Sequence, residues 1–188
     1  RAEMNARLAP LGHGVAVPLG FNVGYALALR SADADRLKLA TLSDLARHPE
    51  LTLGLSNEFI GRADGWQGLA ARYGFTQKPT GLDHGLAYDA IAAKQVDGID
   101  IYTTDAEIRR LDLLPLADDL GFFKRYDAVL LYRLDVGARF GPAAVETLRR
   151  LEGRIDAATM IRLNARAKLE RVPEGEVAAG FLGLGVAA

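Results

Sequence analysis

Four side chains in this sequence could together carry out recognisable chemistry. Arg62 stands in "EFIGRADGW" (58–66), between an apolar strand-like run and a helix-like run. Tyr25 opens the apolar run "YALALR", Tyr102 closes "IDIY", and Tyr126 comes just before "AVLLYRL". A guanidinium presents a planar fork of donors that matches a carboxylate. Phenol rings present electron-rich faces to a cation, each contact worth ~0.5–2 kcal/mol. One guanidinium with up to three phenols therefore suits a small zwitterion whose cationic end has no N–H to donate: a quaternary ammonium at one end, a carboxylate at the other.

The elements that would hold these residues can be read from periodicity and punctuation. "LAPLGHGVAVPLGFN" is rich in Gly and Pro and reads as extended chain and turns. "YALALR" (25–30) is a short apolar strand. Thr41 with Asp44 makes a capping box that starts "LSDLARH". "LTLGLS" (51–56) reads as a buried strand, and Trp66, Leu69, Ala70 and Tyr73 share one helix face. "HGLAYDAIAAK" repeats the helical pattern, "IDIYTT" is a strand, and Thr104 with Glu107 suggests a second box opening "DAEIRRL". "AVLLYRL" (128–134) is a further strand. The tail is helical: Pro142 starts one helix, Asp156 caps the next, and a last short helix begins near Pro173.

Strands and helices alternate up to residue 134 and helices dominate afterwards. This predicts an α/β domain with a mostly parallel sheet, plus a helical remainder. Ligands of such sheets bind beyond the carboxyl ends of the strands. Arg62 and Tyr102 look into one crevice if the strands at 51–56 and 99–102 are parallel neighbours. Tyr25 and Tyr126 precede their strands, and reach the same edge only if those strands run antiparallel to the others.

The chain has 188 residues, 49% hydrophobic and 25% charged, as in an ordinary globular protein. A formal net charge of −1 gives no electrostatic case for nucleic acid or an anionic membrane. With no cysteine there are no disulfides and no thiolate metal sites, and no cofactor is expected. The first residues, "RAEMNARL", lack both an initiator Met and a signal-peptide core, and read as the start of a piece of something longer, so the missing leader carries no information on export.

"GFNVGYALAL" (20–29), "EFIGRADGW" (58–66), "DGIDIYTTDAEI" (97–108) and "FFKRYDAVLLYR" (122–133), in this order and spacing, resemble the substrate-binding proteins of quaternary-amine ABC importers, which take up glycine betaine, choline and carnitine. The resemblance extends over the helical tail without sharp motifs there. It implies a type II periplasmic-binding-protein-like α/β fold, in which two lobes close on the ligand. Here the second lobe would be complete and the first present only in its C-terminal part: residues 1–22 an extended hinge segment, 23–125 the α/β second lobe, 126–188 the returning hinge strand and the helical remainder of the first. It implies Tyr25, Tyr102 and Tyr126 as walls of an aromatic box, Arg62 as the carboxylate clamp, and the Val23 carbonyl facing the ammonium. The implied partners are the small ligand and a membrane permease subunit, with a partner segment or a second copy completing the first lobe. The implied location is the periplasmic or extracellular face of the membrane.

The chain departs from the family pattern in places. Val23 and Gly24 stand where polar residues are common, and Lys124 and Arg125 where prolines often precede the last tyrosine. Two cations there would repel a cationic ligand unless they point into solvent.

Each motif also has a plainer explanation. Arg62 could pair with Asp64 or Glu58 at the surface, a contact worth ~0–1 kcal/mol. Trp66, Tyr73 and Tyr88 fit helix faces turned to the core, and Thr103, Thr104 and Asp105 are accounted for as a helix cap. His84 beside Asp83 fits a helix start. His13, flanked by glycines, has no nucleophile or metal motif in reach, which puts an enzyme behind a binding protein. A ligand-sensing regulatory domain of the same fold is the alternative.

Overall fold

The computed structural model describes residues 2–184. A short helix, α1 (Ala2–Leu8), and a 3-10 turn lead into β1 (His13–Asn22). Only Val23 and Gly24 separate it from β2 (Tyr25–Arg30), which is followed by α2 (Ser31–Leu37) and α3 (Leu42–Ala46). The Thr41–Asp44 capping box forms as expected, each side chain bonded to the other residue's backbone N–H. Then come β3 (Leu53–Ser56), α4 (Asn57–Gly61), α5 (Trp66–Tyr73), β4 (Thr80–Leu82), α6 (His84–Ala92) and β5 (Gly98–Tyr102). After α7 (Glu107–Arg110) and β6 (Leu113–Pro115), the chain returns through β7 (Asp127–Arg133). It ends in α8 (Val136–Phe140), α9 (Pro142–Arg149), α10 (Ala157–Lys168) and α11 (Glu174–Leu182).

Five strands make one sheet in the order β4-β3-β5-β2-β6, and β1 pairs with β7 in a separate two-stranded ribbon. Four strands of the large sheet, β3, β4, β5 and β6, run in one direction, and β2 alone opposes them, the condition under which Tyr25 reaches the same edge as Tyr102. β3 runs parallel to β4 and β5, whereas β2 runs antiparallel to β5 and β6. β2 enters from the separate β1–β7 ribbon rather than through a crossover from another strand of this sheet. The Gly- and Pro-rich stretch, read as extended chain and turns, is extended for most of its length and forms the long strand β1. Its register with β7 slips around Pro18, which has no N–H to give to a ladder.

The strands alternate sides as the pleat demands. Leu27 and Leu29 of β2 join Leu53 and Leu55 of β3 in a core with Leu42, Leu45, Phe59, Trp66 and Leu69. Ala26 and Ala28 point the other way, where their small size admits Tyr88, Ala87 and Ile91 of α6 beside Ile99 and Ile101. Trp66, Tyr73 and Tyr88 are all buried, as their helix faces indicated.

Candidate functional site

The site lies where β2, β5 and the loop after β3 meet. Because β2 and β5 are antiparallel neighbours, Tyr25 and Tyr102 are register partners, although one begins its strand and the other ends it. Their ring centroids are 4.9 Å apart and their hydroxyls 3.3 Å. β3 and β5 are parallel neighbours, so the chain leaving β3 comes to the same edge. Ser56 caps α4 by accepting the Phe59 N–H, while its own N–H and hydroxyl are held by the fully buried Asp100 at 2.5 and 2.7 Å. That anchor fixes α4, which carries Glu58 outward and Phe59 inward under the Tyr25 ring, 5.0 Å away.

Glu58 takes a hydrogen bond from each phenol: Tyr25 to Oε1 at 3.0 Å and Tyr102 to Oε2 at 3.2 Å. Arg62 follows immediately. Its guanidinium carbon lies 5.5 Å from the Tyr25 ring centroid, and it forks onto Asp64 through Nε–Oδ1 at 2.9 Å and Nη2–Oδ2 at 3.1 Å. Gly65 closes this loop with its N–H on the Arg62 carbonyl. A Cβ there would fall 1.9 Å from the Phe59 carbonyl oxygen, so the turn that presents Arg62 needs glycine. Tyr126, arriving just before β7, donates to Asp64 Oδ2 at 2.8 Å. Val23 gives its N–H to the Tyr126 carbonyl, tying the two chain crossings together.

Tyr25 and Tyr102 thus share Glu58, Arg62 and Tyr126 share Asp64, and the two sets meet through the Arg62–Glu58 ion pair at 3.6 Å and the Arg62 contact with the Tyr25 ring. Arg62 and Asp64 each keep 37% of their side-chain surface exposed. Arg125 turns away into solvent onto Asp127, and Lys124 is exposed, which meets the condition for two cations beside the cluster. Burial and hydrogen bonds with Tyr102 and Glu58 push the Tyr25 hydroxyl well above the usual phenol range, so it stays protonated. The Arg62 fork and the Tyr126 hydroxyl hold the Asp64 carboxyl well below the usual carboxylate range.

The cap expected at Thr104 does not form: α7 starts after Ala106 with no side-chain cap. Thr104 is buried, its carbonyl accepting from Asn164 of α10. Asp105 serves a different structure. It accepts from the Tyr102 N–H at 3.0 Å and the Tyr88 hydroxyl at 2.6 Å, and meets His84 Nε2 at 3.2 Å. Burial pulls the Asp105 carboxyl upward, but these donors outweigh it and its pKa falls. The Asp105 hydrogen bond raises the His84 pKa against the opposing effect of burial. Sequence reasoning missed this layer behind Tyr102, as it missed Glu58 as the partner of two phenols. Its signal was the count of polar residues (Ser56, His84, Asp100, Asp105) flanking one strand edge, each ordinary alone.

Residues 3–183 match the family that comprises the substrate-binding domain of ABC-type glycine betaine transport systems. A glycine-betaine-binding protein of Pseudomonas aeruginosa is 35% identical over 178 residues, 88% of this chain and 57% of its own. A Helicobacter pylori protein named as an ergothioneine transport permease and binding protein is 34% identical over 166 residues, 87% of this chain and 30% of its own. A solved glycine betaine/carnitine/choline ABC transporter structure superposes with a TM-score of 0.85 at 30% identity, covering 97% of this chain and 67% of that one. A lactococcal binding protein in its closed form with glycine betaine shares the fold at 16% identity, with a TM-score of 0.59. This chain therefore spans less than three fifths of the length of these two curated relatives.

Proposed function

The chain belongs to the family of substrate-binding domains of ABC-type glycine betaine transport systems, and from that membership and the geometry of the cluster we propose that it captures a quaternary-ammonium osmolyte for a membrane permease. The family is one of transport binding domains, not of enzymes. The observation that carries the reading is the convergence of Tyr25, Tyr102 and Tyr126 on Arg62 through two shared carboxylates.

In this reading the ligand carboxylate replaces Asp64 on the Arg62 fork, a like-for-like exchange of charge-assisted bonds. The methylated nitrogen lies against the Tyr25 and Tyr102 faces, with the Val23 carbonyl nearby and Tyr126 as the third wall. Glu58 holds both phenol hydroxyls as donors. That fixes the rings before the ligand arrives and lowers the ordering cost of binding. The facing wall comes from the rest of the first lobe, supplied by further chain or by a second copy, and it covers the apolar outer face of β7. Closure of the two lobes excludes water and strengthens the cationic and anionic contacts alike. The domain works outside the cytoplasmic membrane, in the periplasm or at the cell surface, where the permease receives the ligand.

Calorimetric titration of the full-length protein with glycine betaine and choline tests this. Arg62→Ala weakens glycine betaine far more than choline, since only the first carries a carboxylate. Equal losses for the two ligands would remove Arg62 from the role of clamp. Tyr102→Ala weakens both, while Tyr102→Phe retains most of the affinity because the ring face remains.

A further inference from the structure

We propose that a second cleft, between α7 and the α10–α11 pair, is a binding site for a small organic anion bearing phosphate groups. The cleft has a volume of about 630 Å³ and lies between lobe and tail, away from the tyrosine cluster's own residues. Arg109 and Arg110 enter it from the end of α7, and Arg162 and Arg166 from successive turns of α10. Leu169 and Phe181 add apolar side chains to the lining, and Glu170 is its single carboxylate.

What marks these four arginines is that they line one cleft together. Arg36, Arg47, Arg125, Arg133 and Arg149 each hold an Asp or Glu two or three residues away. Among the described residues, Arg109, Arg110, Arg162 and Arg166 make no such ion pair; Arg72 and Arg139 make none either, but they lie apart, on the Leu120 carbonyl and the Phe140 ring, whereas these four share one lining. Arg162 instead donates to Thr159 Oγ1 at 2.8 Å, with the capping Asp156 feeling its charge from a distance. Like charges four apart on a helix repel, and Arg162 and Arg166 face two more across the gap. The C-terminal dipole of a four-residue helix accounts for a cation at the end of α7, but not for a second pair opposite. An anion resolves the repulsion.

The geometry selects the class of anion. Several guanidinium forks converging from two elements match the multiple oxygens of a phosphate group. The volume falls in the range of small-ligand pockets, roughly 300–1,000 Å³, and the apolar side chains in the lining ask for an organic portion beside the charge. A phosphorylated soluble molecule and a phospholipid headgroup share this chemistry, and experiment separates them.

The full-length protein is titrated calorimetrically with sodium pyrophosphate at low ionic strength, and separately floated with phosphatidylglycerol vesicles against phosphatidylcholine ones. Saturable pyrophosphate binding identifies a soluble ligand as the source; binding only to the anionic vesicles identifies a lipid headgroup. In either case Arg109→Gln/Arg166→Gln weakens the interaction by about tenfold or more, as expected for loss of charge-assisted hydrogen bonds, while glycine betaine binding is unchanged. The milder pair Arg109→Lys/Arg166→Lys, which keeps charge but loses the forks, gives an intermediate loss and covers the case in which the glutamine pair fails to fold. Absence of both interactions overturns the proposal, as does undiminished binding in the substituted proteins. Binding of an acidic polypeptide such as polyglutamate without any binding of pyrophosphate or vesicles overturns it as well.

Discussion

The five-stranded sheet and the β1–β7 ribbon draw on the same residue types, and although β1 buries Val15 and Val17, the ribbon's other strand ends in the opposite condition from the sheet. In the sheet, Leu27, Leu29, Leu55, Ile99 and Ile101 are wholly buried. In the ribbon, β7 alternates between exposed and half-buried along its whole length, with Leu131 still 54% exposed. Beyond it, α8, α9 and α10 bury no residue completely, and α11 buries only Val177. A sheet sandwiched between helix layers closes its own core; a two-stranded ribbon cannot, and needs cover from elsewhere. The tyrosine cluster sits on the seam, with Tyr25, Tyr102 and Arg62 on the self-sufficient side and Tyr126 on the other. Three of its members are thus held by a finished core, and the fourth by a hydrogen bond to Asp64 and a backbone bond to Val23.

The largest effect should come from cutting the support beneath the cluster. Phe59 is fully buried and lies under both Tyr25 and Phe123. Phe59→Ala should cost ~3–5 kcal/mol in urea unfolding and loosen Tyr25 at the same time. If the sheet unit kept its midpoint after this truncation, it would not be the independent core described above. Ser56→Ala comes next. It removes the α4 cap and one partner of the buried Asp100 carboxylate, whose pKa burial raises against the two Ser56 hydrogen bonds. A loss of ~2–3 kcal/mol is expected from an unsatisfied buried acceptor plus a missing cap.

His84 offers a smaller effect with a defined sign. Its folded pKa is raised above 6.5, so its contribution to stability is complete below that pH and disappears as the pH climbs through the folded value. The groups facing it are Asp105, Asp100, Tyr88 and Tyr102, with Lys168 opposing the shift. Unfolding free energy of the wild type minus that of His84→Gln should therefore shrink as pH rises from 6 to 9. A difference that grows over this range would mean that His84 is neutral in the native state.

Much of this was legible in the sequence because it depended on local signals. Thr41 with Asp44, Asp156 before α10 and the helix face of Trp66 and Tyr73 rest on spacing within one turn or two, and all formed as expected. The tyrosine–arginine set was legible through motif order, and its convergence follows from strand ends meeting at one edge. What spacing could not give was long-range choice. Thr104 and Glu107 have the spacing of a cap, yet the backbone at Thr104 answers Asn164, sixty residues away, and Glu107 answers Lys168. The stretch of β1 was read as extended chain with turns, but its pairing was hidden because its partner, β7, lies more than a hundred residues further on. The single opposed strand, β2, had the same cause: strand direction is set by the connections, not by the strand's own residues.

The smallest expected effect is the sharpest test of the contrast between sheet and ribbon. In the chain of residues 1–188, Leu131→Ser on the outer face of β7 should change stability by less than ~0.5 kcal/mol, as exposed positions usually do. On the proposed function, a first lobe completed by further chain covers the same face, and a leucine there is worth ~1.5–3 kcal/mol on full burial. Unfolding measured for the substitution in both lengths isolates that difference, because the sheet unit is common to the two. Equal, near-zero effects in both would mean that β7 remains open to solvent in the complete protein, and that the wall facing Arg62 is built from some other surface.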